Sequence, residues 1–531
     1  MPDRSSALHR LMFGDRWEKV HEPWRRFYDQ EDLYEPVPPD EQLRRAYALM
    51  EHVPVDEPER FVQDTERLMA LHEWATCGSL ATVAGIHYNL FLGTLVDAGR
   101  DIGAFRGQIG TFLCTEVEHG NGAAFMETTA TWNGHGFDLH TPHAGAAKFM
   151  PNTGLLGGPK TAVVFARLQM RERDEGVFGF VVPLHDGHRF HPGVQVQPLP
   201  WKVGPAVDHC LTRFDHVRLP PDALVEGEHG RLDGATLVSE TGAPHRFLKA
   251  IRRVENGKLC MMGVATGGAR QSLGLSVQYA KERRTRFVAA EDWPLWRIRS
   301  HSDRLLEAIA DTCVASAWTR TLVDIPADPL TLLAKGWITW RMRQAMLEAR
   351  ERCGAQALFP ANLITERLLF NEGAITAEGD NLAIWAKAGP LLLAQEQEPP
   401  GGEGVEEIPA LAEALTRTSL ETAIKEDGGR NQAGPLMDYL NVRAMREAVR
   451  CFRPQDETTE LLLRLFLVKE AVPWVGRLLA EGRIDRSAAR RLPKLRAEAL
   501  DALHGRSEDL VAAFRLPEGM ARHVPMLHRT S

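Results

Sequence analysis

Apolar and polar positions along this chain change period three times. Residues 1 to about 112 mix Leu, Ala and Met with charges at helical spacing, clearest over 41–50 and 66–75, which predicts a helical region. From 128 to 225 the texture is that of strands. Runs rich in Thr, Val and Phe (Glu127-Thr-Thr-Ala-Thr-Trp132, Thr161-Ala-Val-Val-Phe165, Val177-Phe-Gly-Phe-Val-Val182, Val194-Gln-Val-Gln197) are separated by Gly, Pro and Asn. Asn133-Gly134 between two such runs predicts a hairpin. After Leu232 long helical stretches return, and residues 256–286 carry an apolar stripe of Leu259, Met262, Leu273, Val277 and Ala280. Residues 396–407, Glu-Gln-Glu-Pro-Pro-Gly-Gly-Glu-Gly-Val-Glu-Glu, read as a solvated linker. Beyond it 408–514 is helical again, with 459–468 and 493–503 as examples, the second opening on a proline. No repeat of fixed period is visible.

The 531 residues suit three or four domains on the usual scale of about 150 residues each. The texture divides them into an N-terminal helical domain (1–112), a central β domain (113–231), a helical bundle (232–395) and a C-terminal helical domain (396–531). An apolar fraction of 44% and a charged fraction of 25% are those of an ordinary globular chain. With 63 Lys+Arg against 71 Asp+Glu, the net charge of -8 argues against nucleic acid as a partner and toward small-molecule substrates. Seven scattered cysteines, never in a C-x-x-C pair, indicate neither disulfides nor zinc. The first residues lack the apolar core of a signal peptide, no window approaches 18 uninterrupted apolar residues, and the C-terminal His-Arg-Thr-Ser is not a peroxisomal signal. A cytoplasmic protein without membrane insertion is expected.

Five segments carry tempting chemistry. Asn152-Thr-Gly-Leu-Leu-Gly-Gly-Pro-Lys160-Thr161 brushes against a phosphate-binding loop, but Pro159 separates glycine from lysine and the flanks are strand-like, so a Gly-rich loop for another cofactor is the better reading. His185-Asp-Gly-His188-Arg-Phe-His191 falls in a polar turn with no second cluster to complete a metal site, and His135, His140 and His143 would alternate faces around a hairpin. Arg490-Arg491-Leu-Pro-Lys494-Leu-Arg496 reads as an exposed helix face. Lys281-Glu-Arg283-Arg284-Thr-Arg286 closes the long central helix, where cations either complement the helix dipole or bind phosphate.

Three groups of residues in fixed order carry a resemblance. The first is Thr115-Glu116-Val-Glu-His119-Gly120, then Glu127-Thr-Thr-Ala-Thr131, then Lys148-Phe-Met-Pro151. The second is Lys202-Val-Gly204 with Phe214-Asp-His-Val-Arg218-Leu-Pro220, and the third is Tyr279-Ala280 with Arg283, followed by Glu378-Gly379-Asp380-Asn381. Together, over about residues 70 to 395, they resemble the acyl-CoA oxidases, the oxidase branch of the acyl-CoA dehydrogenase superfamily. The resemblance implies an α+β, mainly α fold: an N-terminal helical domain, a central β-barrel or sandwich, a helical bundle and the oxidases' extra C-terminal helical domain. It implies FAD as cofactor, a homodimer, and oxidation of an acyl-CoA or acyl-carrier-protein thioester to the trans-2-enoyl thioester. The acceptor would be O2, giving H2O2, with an electron-transfer flavoprotein as the alternative. A flavin-free thioester-binding or scaffolding relic is the alternative of another class.

Residue by residue, Thr115 matches the threonine beside the isoalloxazine, Arg283 the arginine that holds FAD phosphates, and Glu378 the catalytic base. Two loops that would touch the cofactor depart from the family pattern. Phe149-Met150-Pro151-Asn152-Thr153 stands where the oxidases usually carry Trp-Trp-Pro-Gly-Gly, and Cys353-Gly354-Ala355-Gln356-Ala357-Leu358 where they carry Cys-Gly-Gly-His-Gly-Tyr. Asn152 and Gly354 are the cofactor-binding candidates within them. The chemistry asks for a base with a raised pKa in an apolar pocket and for donors aimed at the thioester carbonyl. Locally, Asp380 or Asn381 is a plausible N-cap for the apolar segment Leu382-Ala-Ile-Trp-Ala386, leaving Glu378 on a short loop at a helix entrance.

Overall fold

A computed structural model describes residues 5–286, 291–325, 329–395, 407–427 and 432–528. All but the last residue of the expected linker, 396–406, lie outside them. The chain divides into two compact units, Val37–Cys260 on one hand and Met1–Pro36 with Met261–Ser531 on the other.

The two larger sheets of the unit Val37–Cys260 are made of β1 (Ile109–Leu113), β2 (Thr129–Trp132), β3 (Phe137–His140), β4 (Lys148–Phe149), β5 (Lys160–Met170), β6 (Arg173–His185), β7 (Val194–Pro198), β8 (Cys210–Phe214) and β9 (Val217–Leu219), and Arg231–Asp233 pairs with Thr236–Val238 in a separate hairpin. Six form one sheet in the order β1-β5-β2-β3-β9, with β6 also paired to β5; the other three form a sheet in the order β4-β8-β7. β5 reads Lys-Thr-Ala-Val-Val-Phe-Ala-Arg-Leu-Gln-Met and is buried along nearly its whole length, as a strand covered on both faces must be. Its Val164 and Leu168 join Phe137, Phe178, Phe180 and Phe214 in one core. The predicted hairpin is present: Trp132 faces Phe137, and the Asn133 carboxamide oxygen accepts the N–H groups of His135 and Gly136.

Two features of this unit differ from the sequence reading. The runs 161–165 and 177–182 are the inner parts of much longer strands, joined by Arg171 and Glu172, both at positive φ. A turn made without Gly or Asn leaves no local signal. Helix was expected to about 112, yet Ile109–Leu113 is a strand, because parallel pairing with β5 from Ile109↔Lys160 onward overrides local propensity. The helices Pro39–Leu49 and Thr65–Glu73 fall where helical spacing put them. The helical segment Gly78–Asp97 is long and apolar enough to cross a membrane, and 78% of that window is buried inside the protein.

The second unit is helical: α1 (Arg253–Glu282, from Met261 onward), α2 (Arg299–Asp324), α3 (Leu330–Arg352), α4 (Ile364–Thr376), α5 (Asn381–Leu393), α6 (Ile408–Asp427), α7 (Ala433–Cys451), α8 (Glu457–Ala471) and α9 (Arg486–His504). α1 stops four residues before the expected 286, since Arg284–Thr285 pairs with Trp293–Pro294 as a two-residue ladder. The C-terminal helices are tied in by buried charge. Glu413 on α6 accepts from Arg443 and Arg446 of α7, Glu470 on α8 pairs with Arg341 of α3, and Lys469 pairs with Asp311 of α2. Pro493 does not open a helix as expected. It lies inside α9, which starts on the Asp485 cap, and its exposed position lets solvent take the carbonyl it leaves unbonded.

Candidate active site

The five residues singled out by sequence fall in two groups, Thr115 and Asn152 in the β-containing unit and Arg283, Gly354 and Glu378 in the helical one.

In the first group, the two pieces of the Thr-Glu…Lys-Phe motif are the two halves of one buried ion pair. Glu116 and Lys148 both have fully buried side chains, 2.9 Å apart. Glu116 also accepts the backbone N–H groups of Glu127 and Thr128, which brings in the Glu-Thr-Thr-Ala-Thr segment. Burial pushes the Glu116 carboxyl up, but Lys148 and these bonds outweigh it and leave the group below its ordinary range. Thr115 sits just past β1, exposed, its carbonyl accepting the N–H of Phe149, whose ring is also exposed. An exposed threonine paired through its backbone with an exposed phenylalanine is the kind of surface a flat, partly polar ring system fits.

Asn152 is wholly buried. Its Oδ1 accepts from Thr111 of β1 at 2.6 Å, and its carbonyl accepts from Lys160 at 2.9 Å. Lys160 in turn donates to Asp208 at 2.6 Å and to the Tyr47 hydroxyl at 2.7 Å, while Tyr47 donates to Asp208. Burial pushes the Tyr47 phenol well up and the Lys160 ammonium down. The Gly-rich loop is thus clamped by its own lysine, and because β5 starts at Lys160 there is no helix N-terminus for a phosphate. Of the histidines in these segments, His185 ends β6 and His140 ends β3; His140 stands with Asp215 and His216, and His143 with Glu118 and Glu127, in two clusters of His and carboxylate groups. Asp186 accepts the N–H groups of His188 and Arg189, His143 bonds Glu127, and His140 stacks on His216.

In the second group, Arg283 is exposed one residue past α1, and Gly354 is exposed just past α3. One apolar cluster holds Tyr279, a turn before Arg283, together with Cys353, next to Gly354. The Cys353 thiol donates to Ser276 of α1 at 3.2 Å, a second tie between the two segments. Gly354 has φ +58°, and a Cβ there would meet nothing, so bare backbone faces open space. An exposed arginine, its side chain bonded to Tyr279, and open backbone fit the phosphate end of a dinucleotide.

Glu378 stands where the sequence placed it. α4 ends at Thr376, Glu378 has φ +59°, Gly379 φ +102°, and Asp380 caps α5 by accepting the N–H of Leu382 at 3.0 Å. Glu378 is half-buried. Of the neighbouring carboxylates, Glu372 lies 3.6 Å from Arg343, and burial raises the Glu366 carboxyl despite Arg367.

One residue escaped the sequence reading. Lys335 of α3 is fully buried and donates to the carbonyls of Ile375 and Gly379 and to Asn381 Oδ1, at 2.9, 2.7 and 2.9 Å. The signal was a single charge inside Leu330-Thr-Leu-Leu-Ala-Lys335-Gly-Trp-Ile-Thr-Trp340, an apolar run in which a lysine needs buried partners.

No family model matches the chain. It is 28% identical over 381 residues to the peroxisomal acyl-coenzyme A oxidase 2 of Arabidopsis thaliana, covering 64% of this chain and 55% of that protein. It is 26% identical over 362 residues to an acyl-coenzyme A oxidase of Komagataella pastoris, covering 59% and 49%. The chain thus matches about half the length of these curated relatives. Among solved structures, acyl-CoA oxidase 1 of Arabidopsis thaliana superposes with TM-score 0.81 at 16% identity, covering 98% of this chain and 91% of that one. Acyl-CoA oxidase-1 of Caenorhabditis elegans, solved with FAD and ATP, gives TM-score 0.81 at 18% identity, covering 98% and 90%. At these identities the likeness shows the fold, and it is the fold expected from the sequence.

Proposed function

We propose that the chain is a member of the acyl-CoA oxidase family and carries out FAD-dependent oxidation of an acyl-CoA thioester at its Cα–Cβ bond to the trans-2-enoyl thioester, with O2 as acceptor and H2O2 as second product. The observation that carries the reading is the Glu378 turn, a half-buried carboxylate on a left-handed residue at the entrance of a capped helix. Its role is to take the α-proton at a carboxylate oxygen. FAD, when bound, supplies the acceptor for the β-hydride. By the resemblance, Thr115 would be the residue to hold the flavin ring, and Arg283 and Gly354 the residues to hold the phosphates. Asn152 acts through the loop it fixes, since its side chain is enclosed. The exposed Arg283 suits a pyrophosphate shared across a homodimer.

The test is the visible spectrum of the purified protein, taken anaerobically before and after a panel of acyl thioesters. The wild type bleaches with its cognate thioester, and oxygen restores the colour with release of peroxide. Glu378→Gln retains flavin and thioester but reduces on the order of 10²–10⁴-fold more slowly. The Gln variant of Glu366 is the control. Bleaching of Glu378→Gln at close to the wild-type rate removes the base from the reading.

A further inference from the structure

We infer that Lys335 is a positioning residue: its buried ammonium fixes the turn that presents Glu378. The inference rests on the reading of Glu378 as proton acceptor.

The argument starts from the backbone. Glu378 and Gly379 are consecutive residues at positive φ, and glutamate is not a residue that adopts the left-handed region without cause. Such a conformation persists only where the surroundings over-determine it. Here three oxygens bracket the turn: the Ile375 carbonyl in the last turn of α4, the Gly379 carbonyl just after Glu378, and Oδ1 of Asn381, the first residue of α5. All three converge on Lys335 Nζ. A lysine ammonium offers three donors from one point, and all three are used.

The template extends one turn along α3. Asn381 Nδ2 donates to Thr339 Oγ1 at 2.9 Å and to the Gly336 carbonyl, and Asn371 of α4 donates to the Thr339 carbonyl at 3.0 Å. The end of α4 and the start of α5 are therefore both registered against α3. Lys335 reaches across both sides of Glu378. Removing it takes the ammonium from two carbonyls and frees the turn to relax to ordinary dihedrals, which re-aims the carboxylate without touching any residue placed at the flavin or the thioester.

The experiment compares holoenzyme carrying Lys335→Met with Asn371→Leu, which cuts the neighbouring α3–α4 bond but none of the three to the turn. Two quantities are read: hydrogen–deuterium exchange of residues 375–382, and the anaerobic flavin-reduction rate against thioester concentration. Lys335→Met should exchange at least tenfold faster in 375–382 than wild type. Its limiting reduction rate should fall ten- to a hundredfold while the apparent thioester Kd stays within threefold. Asn371→Leu should lose stability but keep its limiting rate within threefold. If Lys335→Met fails to fold, Lys335→Gln, which keeps two donors, should show the same pattern with a smaller loss.

Unchanged exchange in 375–382 overturns the inference whatever the kinetics. So does a limiting rate within threefold of wild type, or an equal fall in Asn371→Leu, which would make the effect one of stability alone. If no thioester bleaches the wild type, the Glu378 reading itself fails. The positioning role falls with it, and the exchange data then report only whether Lys335 anchors a turn.

Discussion

The Thr115 region and the Glu378 region are each held by buried lysines, but the lysines do different things. In the β-containing unit, Lys148 and Lys160 are paired with carboxylates, Glu116 and Asp208. Each pair joins two points of the chain, so it fixes where segments lie and leaves Thr115 and Phe149 as an exposed ledge at the end of the sheet. In the helical unit, Lys335 gives its three donors to neutral oxygens on both sides of one residue, so it fixes backbone dihedrals. An ion pair locates segments, whereas a cation gathering oxygens around a turn can hold a conformation that its residues would not choose.

Cutting one lysine from a pair gives the largest effect on stability. Lys148→Met leaves Glu116 buried without its counter-charge and should cost about 3–5 kcal/mol, read as a lower urea midpoint with unchanged slope. Adding Glu116→Gln removes the stranded charge, so the double variant should recover part of the loss. A double variant no more stable than the single would mean that the two strands are located by packing and not by the pair.

Acid probes the same region through a neutral group. His87 is buried, and its Nδ1 accepts the N–H of Gly110, on the strand that leads to Thr115. Burial pushes its pKa from 6.5 down to about 4, and does the same to His72. The unfolded chain therefore binds protons between those two values while the folded protein does not. The contribution is complete above pH 6.5 and is lost as pH falls toward 4, on the order of 3 kcal/mol per histidine. His87→Gln, which keeps an acceptor but does not titrate, should flatten the slope of stability against pH in that window. An unaltered slope would show that His87 is protonated in the folded protein.

These contrasts also account for what was readable in the chain. The capped entrance of α5 was legible because an N-cap is a local bond, Asp380 to the N–H of Leu382. The Asn133-Gly134 hairpin was legible for the same reason. The oxygens that Lys335 binds lie 40 to 46 positions away, and two of them are backbone carbonyls that no residue type announces. The Glu116–Lys148 pair was half visible, since both residues stood in motifs but nothing in the spacing joined them. The span of β5 and β6 was hidden by a turn of Arg171 and Glu172, residues with no turn preference. Asn152 stands where the family carries glycine, but its side chain turns inward to Thr111 and its carbonyl to Lys160, which its immediate neighbours in sequence do not announce.

The smallest effect separates backbone cost from ligand contact at Gly354. Its φ of +58° makes any side chain unfavourable, by about 1–2 kcal/mol for alanine. No atom lies within 4 Å of the position an added Cβ would take, so this conformational cost is all that Gly354→Ala should show in the apoprotein. If the bare backbone is kept for FAD, the holoprotein must lose more, because the methyl then occupies ligand space. The thermal shift produced by saturating FAD should therefore be smaller in Gly354→Ala than in wild type, with flavin retained less tightly through gel filtration. Gly379→Ala is the contrasting case. Its Cβ would come within 2.7 Å of Ile384 Cγ2, and its φ is +102°, so apo and holo forms should be destabilised alike. Equal losses in both forms of Gly354→Ala would reduce Gly354 to the turn that ends α3, and the phosphate end of the cofactor would have to be sought elsewhere around Arg283.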